Sequence, residues 1–203
     1  MTQVAELYEK KKEENRQNNL RYAALGVEFV DIDAAYIDAG VQIGKGVLIE
    51  SGVTLRGDTV IGENCVIGQG CFLENARIGA GCSIDRHSEI TGSSVGDGSC
   101  VRHSVVTESV VGRDTAIGPF AYLRPGSDLG DCVKIGDFVE IKNARIGNGT
   151  KVSHLTYVGD ADLGKDINIG CGVVFVNYNG KDKHRSAIGD GAFIGCNVNL
   201  IAP

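Results

Sequence analysis

From Ile37 onward an aliphatic residue returns at every sixth position: Ile37, Ile43, Ile49, Leu55, Ile61, Ile67 and Leu73. With occasional five-residue steps the series runs through Ile78, Ile84, Ile90, Val95, Val101, Val106, Val111, Ile117, Leu123, Leu129, Ile135, Ile141, Ile146, Val152, Val158, Leu163, Ile169 and Phe175. After a gap of thirteen it resumes at Ile188, Ile194 and Leu200. A six-residue unit cannot bury its apolar face alone, but stacked copies can. Three units close one triangular coil of about 18 residues, and roughly nine coils would stand about 40–45 Å tall at the ~4.8 Å strand spacing of a sheet. Glycine follows the aliphatic residue repeatedly, as in Ile43-Gly44, Ile61-Gly62, Ile135-Gly136 and Ile188-Gly189. The expectation is a short strand ending in a corner, where glycine takes a backbone conformation that a side chain resists. The fold class is an all-β solenoid, a parallel β-helix.

Composition agrees. The 203 residues suffice for one sizeable domain or two small ones, tryptophan is absent and aromatics are 6%, so the core falls to Ile, Val and Leu. A net charge of −6 argues against nucleic acid as a partner. The seven cysteines (65, 71, 82, 100, 132, 171, 196) are odd in number and contain no CxxC pair. They read as free thiols in a reducing compartment, serving as small apolar fillers, with no zinc site. No apolar run approaches 18 residues and no signal peptide opens the chain. No membrane association and a cytoplasmic location are expected.

Residues 1–26 differ. This stretch is charged, lacks internal Gly and Pro, and ends at Gly26 as a helix C-cap would. Val4, Leu7 and Tyr8 share a face but the middle is polar, which reads as a mostly solvated helix that connects or packs on a partner. The β-helix domain is placed at 27–203.

A solenoid builds sites where its regularity fails. The gap after Phe175 spells VNYNGKDKHRSA, a loop carrying Asn177, Tyr178, Lys181, Lys183, His184 and Arg185. Positive charge concentrated there on an acidic chain suits an anionic ligand. In YLRPGSDLG, Arg124 precedes one of only three prolines, and reads equally as a phosphate fork or a surface salt bridge. In VSHLTYVGD, His154 and Tyr157 lie between the aliphatic positions Val152 and Val158, so they sit outside or at a corner, as does Lys142 after Ile141. Eighteen residues separate Arg124 from Lys142, which stacks them; His154, twelve further on, falls near another corner. Neighbouring prisms in a trimer would bring such corners together. His87 and His103 read as bland surface residues.

The combination RPG, VExK, HLTYxGD, and NY ahead of GxxK is far more distinctive than any hexapeptide. It resembles the C-terminal half of the bacterial bifunctional enzyme that joins a glucosamine-1-phosphate acetyltransferase to an N-acetylglucosamine-1-phosphate uridyltransferase. The similarity covers nearly the whole chain, including YIDAGVQIG and the leading helix, which looks like that family's interdomain linker. The resemblance implies a left-handed β-helix, against the general preference for right-handed crossovers. It implies acetyl-CoA-dependent N-acetylation of glucosamine 1-phosphate, in a homotrimer with sites between subunits, with His154 as general base. An imidazole, whose ordinary pKa is about 6.5, suits that task. By the same resemblance Arg124 and Lys142 hold the sugar phosphate, Tyr157 and Lys183 bind substrate, and Asn168 and Asn177 contact the sugar. Tyr178 lies beside the reacting acetyl group, while Cys171 and Cys196 stand where the family has small residues along the pantetheine arm. No metal is implied for this domain.

Two departures stand out. No nucleotide loop of the LxAGxGTRM kind is present, so the uridyltransferase half is expected to be missing. The chain stops at LIAP, short of the coils and tail that help bind coenzyme A in that family. The alternatives are a catalytically weak trimeric sugar-phosphate scaffold and a related hexapeptide acyltransferase acting on another amino sugar. A carbonic-anhydrase-like metalloenzyme would need clustered histidines, and His87, His103, His154 and His184 are scattered along the chain.

Overall fold

The computed structural model describes residues 2–203. One helix, Gln3–Ala24, is followed by 27 short parallel strands that wind into a left-handed, three-sided prism. One face is a sheet of ten strands, from Glu28–Phe29 at the helix end to Phe193–Ile194 at the other. Ten strands at ~4.8 Å span about 43 Å, within the height expected from the repeat. The other two faces merge into a single seventeen-stranded sheet, because strands Glu140–Ile146 and Tyr157–Leu163 run round a corner without breaking.

The aliphatic series forms the core. Ile49, Leu55, Ile67, Leu73, Ile84, Ile90, Ile135 and Ile141 are wholly buried, stacked one coil above another. The series closes at Phe175, also buried, while Ile188, Ile194 and Leu200 are only partly covered. Small residues fill the corners just before each aliphatic position, and their polar atoms serve the neighbouring coil. Ser99 Oγ donates to Gly112 O at 2.8 Å, Thr115 Oγ1 to Gly130 O at 3.0 Å and Thr150 Oγ1 to Gly164 O at 2.9 Å. Cys65 and Cys82 occupy the same column and point Sγ at Gly79 O and Gly96 O. All seven thiols are free. The filler reading holds for Cys65, Cys71 and Cys82, which are buried, but fails for Cys132 and Cys196, which are exposed.

Where another coil stacks above them, the glycines after the aliphatic residues are needed for a different reason than conformation; Gly189 and Gly195 have no such neighbour. A Cβ on Gly136 would lie 2.0 Å from Ser153 O, and one on Gly44 would lie 2.7 Å from Glu63 N. Adjacent coils approach too closely there for any side chain. The left-handed corners come two residues later, at Gly46 (φ 73°) and at non-glycines such as Asn64 (φ 58°).

The helix also departs from expectation. Val4, Leu7 and Tyr8 are exposed, and the polar middle is what packs. Asn15, Asn18, Asn19 and Tyr22 share one face at i, i+3, i+4 and i+7 spacing. Asn15 Nδ2 donates to Ala35 O, Asn18 Nδ2 to Ile37 O, Asn19 Nδ2 to Ile32 O and Ala35 O, and Tyr22 Oη to Val41 O, all at 2.8–2.9 Å. These are carbonyls of the first coil, which has no coil beneath it to accept from. The helix therefore caps the prism with amides where an apolar lid would leave the carbonyls unpaired. Arg16 forks onto Asp33 beside them. Leu25 is the C-cap, and Gly26 follows it at φ 93°, the left-handed glycine that ends the helix where the sequence placed its end.

Candidate active site

Leu123 pairs with Ile141 in the next coil, which sets Arg124 beneath Lys142, and Lys142 in turn pairs with Gly159. Arg124 is held by Glu140, Nη1 to Oε1 at 2.8 Å, and lies over the Tyr122 ring. Of the two readings of Arg124, the structure shows the salt bridge: it makes an ion pair through one guanidinium nitrogen, on a half-exposed wall.

The wall is organised by a carboxylate the sequence did not single out. Asp160 sits at the corner inside strand Tyr157–Leu163 with φ 48° and is nearly buried. It accepts from Asn143 Nδ2 at 2.6 Å and from Asn177 Nδ2, and lies 3.9 Å from Lys142 Nζ. Burial pushes its pKa up, but Asn143, Lys142, Asn177 and Lys183 together hold it below the usual carboxylate range. Asn177 also reaches Tyr157 Oη at 3.4 Å. The Tyr157 phenol lies along Gly159, where a Cβ would come within 2.2 Å of Oη. Lys183 approaches Lys142, and the hydrogen bond between the two amines, together with the Lys142 charge, lowers the Lys183 pKa. Arg124, Lys142, Tyr157, Asn177 and Lys183 are therefore brought to one wall.

The loop is an ordered hairpin, bridged between Tyr178 and Lys183, with Tyr178 Oη donating to Gly180 O at 2.7 Å. Two of its basic side chains are engaged within the chain. Arg185 donates to both oxygens of Asp162 and to the carbonyls of Asn143 and Ala161, so it staples the loop to the prism. His184 is turned inward on Asn179, 2.9 Å from its amide.

His154 stands elsewhere, at the end of strand Lys151–His154 on the ten-stranded face. It is exposed, and its Nδ1 lies 2.6 Å from Asp137 Oδ1, one coil below and in register. The imidazole holds the Asp137 carboxyl below its ordinary range. An ionised carboxylate only accepts, so in the neutral imidazole the proton sits on Nδ1 and the lone pair on Nε2. Register from Ile169–Ile194 places Cys171 above His154 and Cys196 above Cys171. Asn168 lies on this face as well, between Lys151 and Phe193, apart from the Asp160 wall. Within one chain the structure thus separates His154, Asn168, Cys171 and Cys196 from the cationic wall.

Beside His154 runs an outward ladder of residues in the left-handed conformation: His87, His103, Phe120, Phe138 and Leu155. Phe120 and Phe138 stack at 5.5 Å, His103 packs on Phe120, and His87 and His103 are neighbours at 6.2 Å. The two histidines read as bland are therefore adjacent in space. Among the described residues no group of three His, Cys, Asp or Glu could hold a metal ion, and no helix is long and apolar enough to cross a membrane.

A left-handed prism of hexapeptide coils, with a positioned imidazole on one corner and a cationic wall on another, defines a hexapeptide-repeat transferase. Comparison with known proteins narrows this. The family model "Bacterial transferase hexapeptide (six repeats)" matches residues 40–75 and 108–143. The bifunctional protein GlmU of Enterococcus faecalis is 52% identical over 93% of this chain and 38% of its own length. That of Clostridioides difficile is 47% identical over 93% of this chain and 37% of its own. The chain belongs to the bacterial hexapeptide transferases and corresponds to the C-terminal hexapeptide-repeat domain of the GlmU proteins. It spans a little over a third of the length of the curated relatives it matches. A solved UDP-N-acetylglucosamine acyltransferase from Francisella novicida shares the fold at TM-score 0.56 and 14% identity, over 67% of this chain and 64% of that one.

Asp137, Glu140, Asn143, Asp160 and Asp162 were not identified from sequence. Glu140 and Asp160 stand inside the VExK and HLTYxGD motifs, which is the one signal the sequence held for any of them.

Proposed function

We propose that this domain transfers the acetyl group of acetyl-CoA to the amine of glucosamine 1-phosphate, giving N-acetylglucosamine 1-phosphate for UDP-N-acetylglucosamine synthesis. The observation that carries the reading is the His154–Asp137 pair: an exposed imidazole whose Nδ1 is committed to a carboxylate and whose Nε2 is open. Nε2 takes a proton from the sugar amine as the nitrogen attacks the thioester carbonyl; the tetrahedral carbon then collapses and coenzyme A leaves as its thiol. Arg124, Lys142 and Lys183 supply the charge that a phosphate monoester requires. Tyr157, Asn168 and Asn177 contact the sugar, and Tyr178 flanks the acetyl group. Cys171 and Cys196 line the path of the pantetheine arm above His154.

Because one chain keeps His154 apart from the cationic wall, the working unit is a homotrimer whose sites form between neighbours. The exposed Phe120–Phe138–Leu155 edge beside His154 supports this, since exposed apolar edges of that kind mark contacts with another chain. Residues 1–26 hold the place of the linker helix of the GlmU relatives, and the protein works in the cytoplasm, where its free thiols persist.

The test is acceptor-dependent thiol release from acetyl-CoA by the purified protein. Release that requires glucosamine 1-phosphate and disappears in His154→Ala, with the circular dichroism spectrum unchanged, is the expected result. Undiminished turnover in that variant would sink the general-base assignment.

A further inference from the structure

Cys171 and Cys196 flank the one coil that carries the inserted loop. Strand Asn168–Ile169 pairs in register with Phe193–Ile194, and Asn197 N donates to Cys171 O at 2.8 Å. The two cysteines are therefore direct neighbours across one coil step. That step is about 4.8 Å between Cα atoms, inside the roughly 4.4–6.8 Å window for a disulfide. The same column shows that side chains one coil apart reach each other, because Asp137 and His154 meet in it at 2.6 Å. The backbones are also drawn close just before the pair, where a Cβ on Gly170 would lie 2.6 Å from Gly195 C. Cys171 is half-buried and Cys196 exposed.

Other thiols differ in one respect or the other. Cys65 and Cys82 are in register too, but both are buried and directed at Gly79 O and Gly96 O. Cys100 and Cys132 have no cysteine one coil away in their columns. Only the 171–196 pair combines register with access to a reagent.

We propose that Cys171 and Cys196 form a reversible disulfide, a redox modification site at the entrance to the His154 corner. The oxidant is a small-molecule disulfide such as oxidised glutathione. The Cys196 thiolate attacks one sulfur of the reagent, its S–S bond breaks and one glutathione thiolate leaves. The Cys171 thiolate then attacks Cys196 Sγ and expels the second glutathione. Two protein thiols have given up two electrons to the reagent, and their two protons pass through solvent to the departing glutathione thiolates. The cross-link closes the coil bearing Asn177, Tyr178 and Lys183, and it fills the column above His154. A block of acetyl transfer follows from the proposed function; the cross-link itself does not depend on it.

The experiment treats the full chain with oxidised glutathione, removes the reagent, and maps peptides by mass spectrometry before and after dithiothreitol. The expected product is a Cys171–Cys196 linked peptide, removed by dithiothreitol and missing from Cys171→Ser and Cys196→Ser. Glutathione left on Cys196 as a stable mixed disulfide, or a cross-link confined to Cys65 and Cys82, overturns the proposal. Acetyl transfer is read in parallel on the same samples. Loss on treatment and recovery with dithiothreitol in the wild-type chain is expected, with the treated-to-untreated ratio unchanged in the Cys171→Ser/Cys196→Ser double variant, where neither thiol is left to take up glutathione. An untreated chain without turnover would count against the proposed function and leave the mass result to decide the cross-link.

Discussion

Nδ1 of His154 and Oδ1 of Asp137 are 2.6 Å apart across one coil of the prism. The pair fixes the imidazole tautomer without burying either group, so its value lies in orientation, and exposed pairs of this kind add little stability. Asp137→Ala is expected to lower kcat roughly tenfold, less than the ~10²–10⁴-fold supplied by a general base. KM for both substrates should hold. Steady-state kinetics with an unfolding curve on the same variant check this; a large stability loss would reassign Asp137 as structural.

Arg185 bonds both oxygens of Asp162 and holds that carboxyl below its ordinary range. A depressed folded-state pKa contributes stability that is fully present above the unfolded value, about 3.9, and is lost as pH falls through the lower folded value. Hydrogen exchange at residues 177–188 should therefore lose protection below about pH 4. Asp162→Asn should show weaker protection at neutral pH and a smaller change on acidification. Equal profiles for the two proteins would show that Arg185 does not anchor the loop.

Gly136 and Gly189 hold the same place in the repeat but face different surroundings. A Cβ on Gly136 would strike Ser153 O at 2.0 Å, whereas nothing lies within 4 Å of one on Gly189. Gly136→Ala should cost about 1–3 kcal/mol or more, because backbone must shift to admit the methyl. Gly189→Ala should change stability by less than about 0.5 kcal/mol. Urea midpoints of the two variants give the comparison.

Asn19 is buried and donates to two first-coil carbonyls. Asn19→Ala strands the Ile32 carbonyl, while Ala35 O keeps its bond from Asn15, at a cost of about 1–3 kcal/mol for a covered group left unsatisfied. The loss should appear as a lower melting temperature with fraying of the helix signal. No change would mean that the helix does not cap the prism.

How much of this could be read from the chain follows from what the repeat encodes. Aliphatic spacing reports which side chains face inward, so the prism, its height and the outward placement of His154, Lys142 and Tyr157 were legible. The break after Phe175 marked the loop. Capping by Asn15, Asn18 and Asn19 was not legible, because their partners are open carbonyls of a coil end, which carry no sequence signature. A polar helix face looks the same whether it meets water or backbone. Asp137, Glu140 and Asp160 escaped for another reason: coils vary in length, so spacing alone does not say which residue lies beneath which. Nor did the charge of Arg185 disclose that it is spent on Asp162.

That variation has a consequence of its own. Contacts between neighbouring coils join residues 16 apart for Arg124 and Glu140, 17 for His154 and Asp137, and 23 for Arg185 and Asp162. Each vertical alignment is a tally of the residues in the winding beneath it. Exchanging one amino acid for another disturbs a single rung, whereas deleting one turns everything above it out of line. Selection on such a molecule weighs on chain length per turn more heavily than on most individual residues, and new material is admitted only where the winding already bulges, as it does between Phe175 and Ile188.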